Sequence, residues 1–469
     1  MILYILFQFL QGAIFFILWY VVVMNGISLF QMIAAIFITP VYISKSRRNE
    51  YRFMSSSKNM IPLSLLVPAH NEEVTIVDSI KSMLSLNYTD YEIIVINDGS
   101  TDSTLNTVIN AFNMRKIVYP VRASLPVKKV NGIYFNPDIP KLKLIDKDNG
   151  GKSDALNAGI NLSLYPYIVS LDADSLLNND ALLRIAMAFL KSKYTIAVGG
   201  MIRLSNGCQI RDGKIMNVSL PKKIWPLFQT IEYFRSFFTG RIGWNSHNSL
   251  LIIPGAFGAF QKEFVLAVGG YSTGTVGEDM DLVMKLHKYM YSKKYRYKVV
   301  FLPDPICWTQ APETLGILYS QRRRWQIGLI DVLGRNRDMM LNPRYKTLGL
   351  AAMPYYFLFE MISPAIELFG YILIPIACYF GYVSVDSLLL FFLAAIGFGI
   401  ITSLGSLVAE EFTNTKYLKI REVLLLCFVC VAENLFYRQL TVFFRLMGIF
   451  SYRKYKTDWG RMRRHKFRN

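Results

Sequence analysis

The sequence predicts an α/β protein: a water-soluble, mainly parallel sheet domain held between membrane helices near both ends of the chain. Three observations predict it. The 469 residues are 52% hydrophobic and only 18% charged, more apolar and less charged than an ordinary soluble protein. Two long stretches, 1–44 and 347–415, contain no Lys or Arg. Between them, short apolar runs ending in polar turns alternate with helical spacing, the pattern of βαβ units. This composition excludes disorder over most of the chain and argues against a purely soluble enzyme.

Residues 1–44 carry no charged side chain at all. The run is too long for the core of a signal peptide, and no small-residue cleavage site follows it. A single span needs about 20 apolar residues, so 1–44 accommodates one long tilted helix or two helices turning near Asn25-Gly26. Lys45, Arg47 and Arg48 follow at once and place that end in the cytosol by the positive-inside rule.

Residues 60–345 read as the soluble domain. SLLVPAHNEE (64–73) is a buried strand followed by a turn, and VTIVDSIKSMLSL (74–86) has helical spacing. EIIVINDGSTD (92–102) is a second buried strand, after which LNTVINAF begins a helix. YIVSLDADS (167–175) is a third strand, ending in two aspartates. A parallel sheet of this kind takes its ligands at the carboxyl ends of its strands. The polar segment 116–148 is read as a hairpin inserted before a glycine loop.

Residues 346–452 are apolar again. The stretch 349–363, with Pro354, Glu360 and nearby Pro364, reads as an interfacial helix. Segments 366–383 and 387–409 read as spans, and 422–450 is apolar but holds Glu433, Asn434, Arg438 and Arg445. The tail 453–469 has eight Lys/Arg and one acid, so it is expected in the cytosol against anionic lipid. An even number of spans must then separate the soluble domain from the tail. The net charge of +19 lies largely beside apolar segments, which favours membrane lipids as partners over nucleic acid. Five scattered cysteines fit neither a disulfide framework nor a zinc ribbon.

The chemistry is carried by carboxylates. No G-x-G-x-x-G follows the first strand, and G-x-x-x-x-G-K-[ST] does not occur. Instead Glu72, Asp98, Asp172 and Asp174 stand at the strand ends. Carboxylates repel phosphate unless a cation lies between them, so a divalent metal bridging to a diphosphate is favoured. Both Mg²⁺ and Mn²⁺ suit oxygen ligands. NGGKSDALNAG (149–159) brings backbone N–H groups and Lys152 towards an anionic ligand. GAFGAF (255–260) pairs small residues with aromatics, suited to close backbone approach to a flat ring. GEDMD (277–281) puts Glu278 and Asp279 before a helical stretch, where a carboxylate also serves as a cap. QRRRW (321–325) joins an amide, three guanidiniums and an indole, with a basic interfacial anchor beside the membrane as the lesser reading.

In this order, VPAHNEE, NDGSTD, GGKSDALNAG, Asp172-Ala173-Asp174, GAFGAF, Glu278-Asp279 and Gln321, Arg324, Trp325 resemble the membrane-integrated family 2 glycosyltransferases. That group includes cellulose, chitin, hyaluronan and poly-N-acetylglucosamine synthases. The resemblance covers essentially the whole chain and implies a cytosolic GT-A domain, α/β in class, with transmembrane helices on both sides, in the plasma membrane. It places Pro68, Ala69, Asn71 and Glu72 near the uracil and ribose, and Asp98 on the nucleoside. Lys152 lies by the donor, Asp172 meets the nucleotide and Asp174 the metal. Asp279, beside Glu278, is the general base. Arg324 holds the diphosphate. Trp325 stacks on the acceptor sugar, with Gln321, Gly255 and Phe257 also assigned to the acceptor.

The function implied is inverting transfer from a UDP-sugar to a growing β-linked polysaccharide, with N-acetylglucosamine as a candidate sugar. Two alternatives stand beside it. One is a membrane enzyme adding one or a few sugars to a lipid or short acceptor. The other is a catalytically silent membrane subunit. Expected partners are the UDP-sugar, a carbohydrate or glycolipid acceptor, membrane lipids, and export or accessory membrane subunits.

Overall fold

The computed structural model describes residues 2–46, 60–211, 213–413 and 419–455. Arg47, Arg48 and all of the basic tail beyond Tyr455 lie outside the described residues. Contacts group the chain into two units. One contains 42–46, 60–222 and 248–311; the other contains 2–41, 223–247 and 312–455. The stretch 60–345, read from sequence as one soluble domain, therefore contributes to both.

The first unit is built on a ten-stranded sheet in the order β3-β4-β5-β2-β1-β6-β11-β8-β12-β7. The strands are β1 (Leu63–Ala69), β2 (Tyr91–Asp98), β3 (Arg115–Ile117), β4 (Val130–Phe135), β5 (Leu142–Lys147) and β6 (Tyr167–Leu171). They continue with β7 (Leu176–Leu177), β8 (Thr195–Leu204), β9 (Gln209–Arg211), β10 (Lys214–Asn217), β11 (Phe257–Gln261) and β12 (Lys298–Thr309). β9 and β10 form a separate two-stranded ribbon. Strands β5, β2, β1 and β6 are parallel neighbours. β1 and β2 are buried almost without break, as their continuous apolar runs require when helices cover both faces.

The helix Lys152–Leu162 crosses from β5 to β6 and is buried from Ser153 to Leu162. Gly159 lets it lie directly on the sheet, because a Cβ there would stand 3.0 Å from Ile96 and 3.1 Å from Leu66. The inserted polar segment does form a hairpin: β4 pairs antiparallel with β5 and extends the sheet to β3. Beyond β6 the sheet is mixed, with β11 antiparallel to both β6 and β8.

The second unit is helical. Ile2–Ser46 is one helix of 45 residues that does not turn at Asn25-Gly26. Asn25 donates its amide to Val21 and Ala394 carbonyls instead of breaking the helix. At 1.5 Å per residue such a helix measures roughly 65 Å, well beyond a hydrocarbon core of about 30 Å. Among the described residues two helices are long and apolar enough to cross a membrane, Gln8–Ile43 and Val385–Glu411, which makes the chain a membrane protein. Leu348–Met361 and Ser363–Tyr379 meet at a 42° bend and together qualify as a broken span or re-entrant loop.

The polar residues of 422–450 are paired inside this unit, as charges among apolar helices must be. Arg235 forks onto both oxygens of Glu433 at 2.8 Å. Arg438 meets Glu367 at 3.3 Å. Arg445 donates to Gln326 at 2.9 Å and to Glu360 at 3.1 Å. Gly448 permits the close approach of Arg438–Tyr455 to the helix Leu315–Arg335, since a Cβ would fall 2.8 Å from Gln326.

Candidate active site

The carboxyl ends of β1, β2, β5 and β6 deliver the polar residues of the sheet unit to one edge. After β1 the chain turns through Asn71, whose φ of +58° is tolerated by asparagine better than by most residues. Its side-chain oxygen accepts from the Thr101 N–H at 2.8 Å and the Asp102 N–H at 3.3 Å. Its own N–H donates to Ser100. Glu72, almost buried, receives the Thr75 hydroxyl at 2.9 Å, and its N–H donates to Thr104 at 2.8 Å. The VPAHNEE turn is thus bolted to the NDGSTD turn, with Pro68 and Ala69 closing β1 beneath them.

Asp98 ends β2 and is 3% exposed. Its carboxylate accepts from Lys147 Nζ at 2.6 Å, from the Gly150 N–H at 3.0 Å and from the Gly151 N–H at 2.7 Å. Its oxygens thereby hold the glycine loop against the end of β2. Lys147 is fully buried and supplies the compensating charge. Its ammonium also meets Asp154 at 2.6 Å and the Asp148 carbonyl at 2.6 Å, so its three donors have three acceptors. Sequence reasoning passed over Lys147 because it sits in a polar insertion rich in lysine. The available signal was its position, at a strand end beside Asp-Asn-Gly-Gly. Gly99, at φ +60°, allows the loop to close, since a Cβ would lie 2.6 Å from Asn149 N.

Lys152 opens the crossover helix and reaches across to two carboxylates and a backbone carbonyl. Its Nζ lies 2.5 Å from Asp172, 3.5 Å from Glu278 and 3.3 Å from the Gly255 carbonyl. Burial works against its charge, but Asp172, Glu278 and Asp279 outweigh that and hold its pKa above the ordinary lysine value. Glu278 and Asp279 begin the helix Glu278–Lys293, where the N-terminal dipole favours negative charge. Asp279 accepts from the Gly255 N–H at 3.0 Å and the Met280 N–H at 2.8 Å.

These groups converge on one point. A Cβ on Gly255 would lie 3.0 Å from Lys152 Nζ and 3.5 Å from both Asp279 and Glu278 oxygens. Gly255 is therefore needed as backbone, and its two peptide groups bind opposite charges. Phe257 is not available to a ligand: it is fully buried in β11 as part of the core. The aromatic-rich pattern that suggested ring contact is here the alternation of a central strand.

Asp172 and Asp174 follow β6, the first partly exposed and the second buried. Among the described residues no group of three or more His, Cys, Asp or Glu could hold a metal ion. Two protein carboxylates suit a hard cation that takes its remaining ligands from a diphosphate and water. Asp172, Asp174, Glu278 and Asp279 also outnumber Lys152 in charge, a surplus that a divalent cation would balance. The residues present therefore fit Mg²⁺ or Mn²⁺ bound together with an anionic ligand.

His287, on the same helix as Asp279, was not foreseen. Its ring is fully buried, with Nδ1 2.6 Å from the Tyr297 hydroxyl and Nε2 2.9 Å from the Leu250 carbonyl. Burial holds its pKa down at about 4, so it is neutral, and it ties the acidic helix to the segment leading to Gly255.

Gln321, Arg324 and Trp325 belong to the helical unit, on the helix Leu315–Arg335. Their i, i+3 and i+4 spacing puts them on one face. Gln321 is buried, Arg324 half-buried and Trp325 45% exposed.

Comparison with known proteins adds three findings. The family described as Glycosyl transferase family group 2 matches residues 167–402, and Glycosyl transferase family 2 matches 64–124. The chain is 33% identical over 302 residues to poly-beta-1,6-N-acetyl-D-glucosamine synthase of Staphylococcus epidermidis, covering 64% of this chain and 61% of that protein. It is 31% identical over 301 residues to the synthase of the same name from Staphylococcus aureus, again covering 61% of it. The alignment thus spans about three-fifths of those relatives' length. Mannosyltransferase PcManGT from Pyrobaculum calidifontis, solved with GDP-Man and Mn2+, superposes with a TM-score of 0.51 at 18% identity, over 88% of this chain and 99% of that one. The sheet unit has the GT-A fold, as the motifs led one to expect.

Proposed function

The chain belongs to glycosyl transferase family group 2, and from that premise we propose a membrane-bound inverting glycosyltransferase that builds a β-linked polysaccharide from UDP-N-acetylglucosamine. The observation that carries this reading is the convergence of Lys152, Glu278 and Asp279 on Gly255, beside Asp172. The staphylococcal synthases, by their names, support N-acetylglucosamine as the sugar.

An alcohol is a poor nucleophile until a base takes its proton. Asp279, fixed by the N–H groups of Gly255 and Met280, accepts the acceptor hydroxyl's proton as that oxygen attacks the anomeric carbon. UDP departs from the opposite side, so an α-linked donor yields a β-linked product. Asp174 and Asp172 would hold Mg²⁺ or Mn²⁺, which would offset the charge developing on the diphosphate. Lys152 adds a fixed positive charge by the donor, and Glu278 keeps that ammonium in place. Pro68, Ala69, Asn71 and Glu72 bind uracil and ribose. Asp98 acts on the nucleoside side through the glycine loop that it holds. Arg324 binds the diphosphate, and Trp325, with Gln321, binds the acceptor sugar.

The catalytic unit faces the cytosol and the chain crosses the plasma membrane more than once. Counting the bent pair as one span gives two spans after the sheet unit among the described residues, an even number that supports a basic tail on the same side. Lipids and export or accessory membrane subunits complete the list of partners.

The test is purified protein in bilayers with a panel of radiolabelled UDP-sugars. A ladder or high-mass product from UDP-N-acetylglucosamine is expected. A single discrete glycolipid would replace this reading with non-processive transfer, and no transfer from any UDP-sugar would remove it.

A further inference from the structure

Arg322, the residue between Gln321 and the Arg-Arg-Trp that follows, carries no role in the reading above, yet it is the most completely enclosed cation of its helix. It is 2% exposed and among the largest fully buried side chains. A buried guanidinium must be paired, and this one is. Its Nη2 forms a short ion pair with Glu232 of the helix Ile224–Arg235 and donates to the Tyr437 hydroxyl at 3.2 Å. Tyr437 donates to Glu232 at 2.7 Å and stacks on Phe228 with centroids 5.3 Å apart. Two other segments of the helical unit therefore fix the guanidinium.

What it does with its remaining faces is specific. Nη1 donates to the Gln321 side-chain oxygen at 2.7 Å. The flat face lies 4.2 Å from the centre of the Trp325 ring, a cation–π contact across one helical turn. Both residues that the preceding section gives to the acceptor are thus held by one side chain that itself stays out of solvent. An indole 45% exposed on a helix would otherwise sample several rotamers. We propose that Arg322 is the positioning residue that sets Gln321 and Trp325 for the acceptor sugar, an inference that rests on reading Trp325 as the sugar platform. A lysine cannot replace it, because a point charge offers neither the planar fork nor the stacking face.

The experiment compares wild type with Arg322→Lys, Tyr437→Phe and Trp325→Ala as full-length proteins in bilayers. Product length, acceptor KM and donor KM are measured, with a melting curve for each. Arg322→Lys keeps a cation beside Glu232, so melting within a few degrees of wild type is expected. Product length should fall, or acceptor KM rise, about fivefold, while donor KM moves less than about twofold. Tyr437→Phe, which removes only one hydroxyl, should shift the same two quantities in the same direction by a smaller factor. Arg322→Lys combined with Trp325→Ala should be no worse in product length than Trp325→Ala alone, as expected of residues acting through one another. If Trp325→Ala shortens the product while Arg322→Lys and Tyr437→Phe leave it at wild-type length, the positioning role is overturned. Equal changes in donor and acceptor KM would overturn it too. If Trp325→Ala itself changes nothing, it is the platform reading that fails.

Discussion

Replacing Lys147 with methionine removes the only cation in direct contact with both Asp98 and Asp154 among the described residues. The ammonium stands 2.6 Å from an oxygen of each and is fully buried, so solvent screens none of the loss. Asp98 retains the Gly150 and Gly151 N–H groups, but two nearly buried carboxylates are left facing each other, and the Asp148 carbonyl loses its donor. Breaking a buried pair by removing one partner costs about 3–5 kcal/mol. Lys147→Met should therefore destabilise the sheet unit by about that amount, read by urea denaturation of the purified protein. UDP affinity should fall as well, because the glycine loop loses the partner of its anchor. A Lys147→Met protein as stable as wild type would refute the argument.

Other consequences follow from the same geometry. Trp325→Ala should shorten or abolish the polymer while part of the donor hydrolysis persists, measured as product size against UDP release; unchanged chain length would argue against a sugar platform. EDTA should weaken UDP binding by calorimetry, with either Mg²⁺ or Mn²⁺ restoring it; chelation without effect would rule out cation-assisted binding by Asp172 and Asp174. His287, with its pKa lowered to about 4, contributes stability that is whole above pH 6.5 and is lost as pH falls towards 4. Its share over that interval is about 3 kcal/mol, and His287→Gln should flatten that part of the stability profile. An unaltered profile would mean the ring is accessible to protons in the folded state.

Much of this site is legible in the sequence because it lies at the ends of continuous apolar strands. VSLDADS and VINDGSTD announce both a buried strand and the polar groups at its end, and β6 and β2 lie as that pattern requires. The glycine loop is visible for the same reason, since Gly-Gly-Lys breaks one element and opens another. The antiparallel β11 is less visible: GAFGAF is too short and too small to declare a central strand, and its Phe257 reads as a ligand contact when it is core. Partnerships across the chain are invisible. Lys147 and Asp154 are seven residues apart and look like any charged pair, while Arg322 and Glu232 are joined only by folding. The role of Gly255 as a backbone donor and acceptor leaves no mark beyond the glycine itself. The N-terminal helix was ambiguous for a different reason: Asn-Gly is a turn signal in water, yet inside an apolar bundle the asparagine amide finds carbonyl partners and the helix continues.

The most direct test measures binding and turnover on one sample of Asp279→Asn. The amide preserves shape but cannot take a proton, so UDP-sugar affinity should stay near wild type while transfer falls by about 10²–10⁴-fold. Transfer at the wild-type rate with Asp279 replaced would contradict the assignment of the base, and with it the account of how this cluster of carboxylates works.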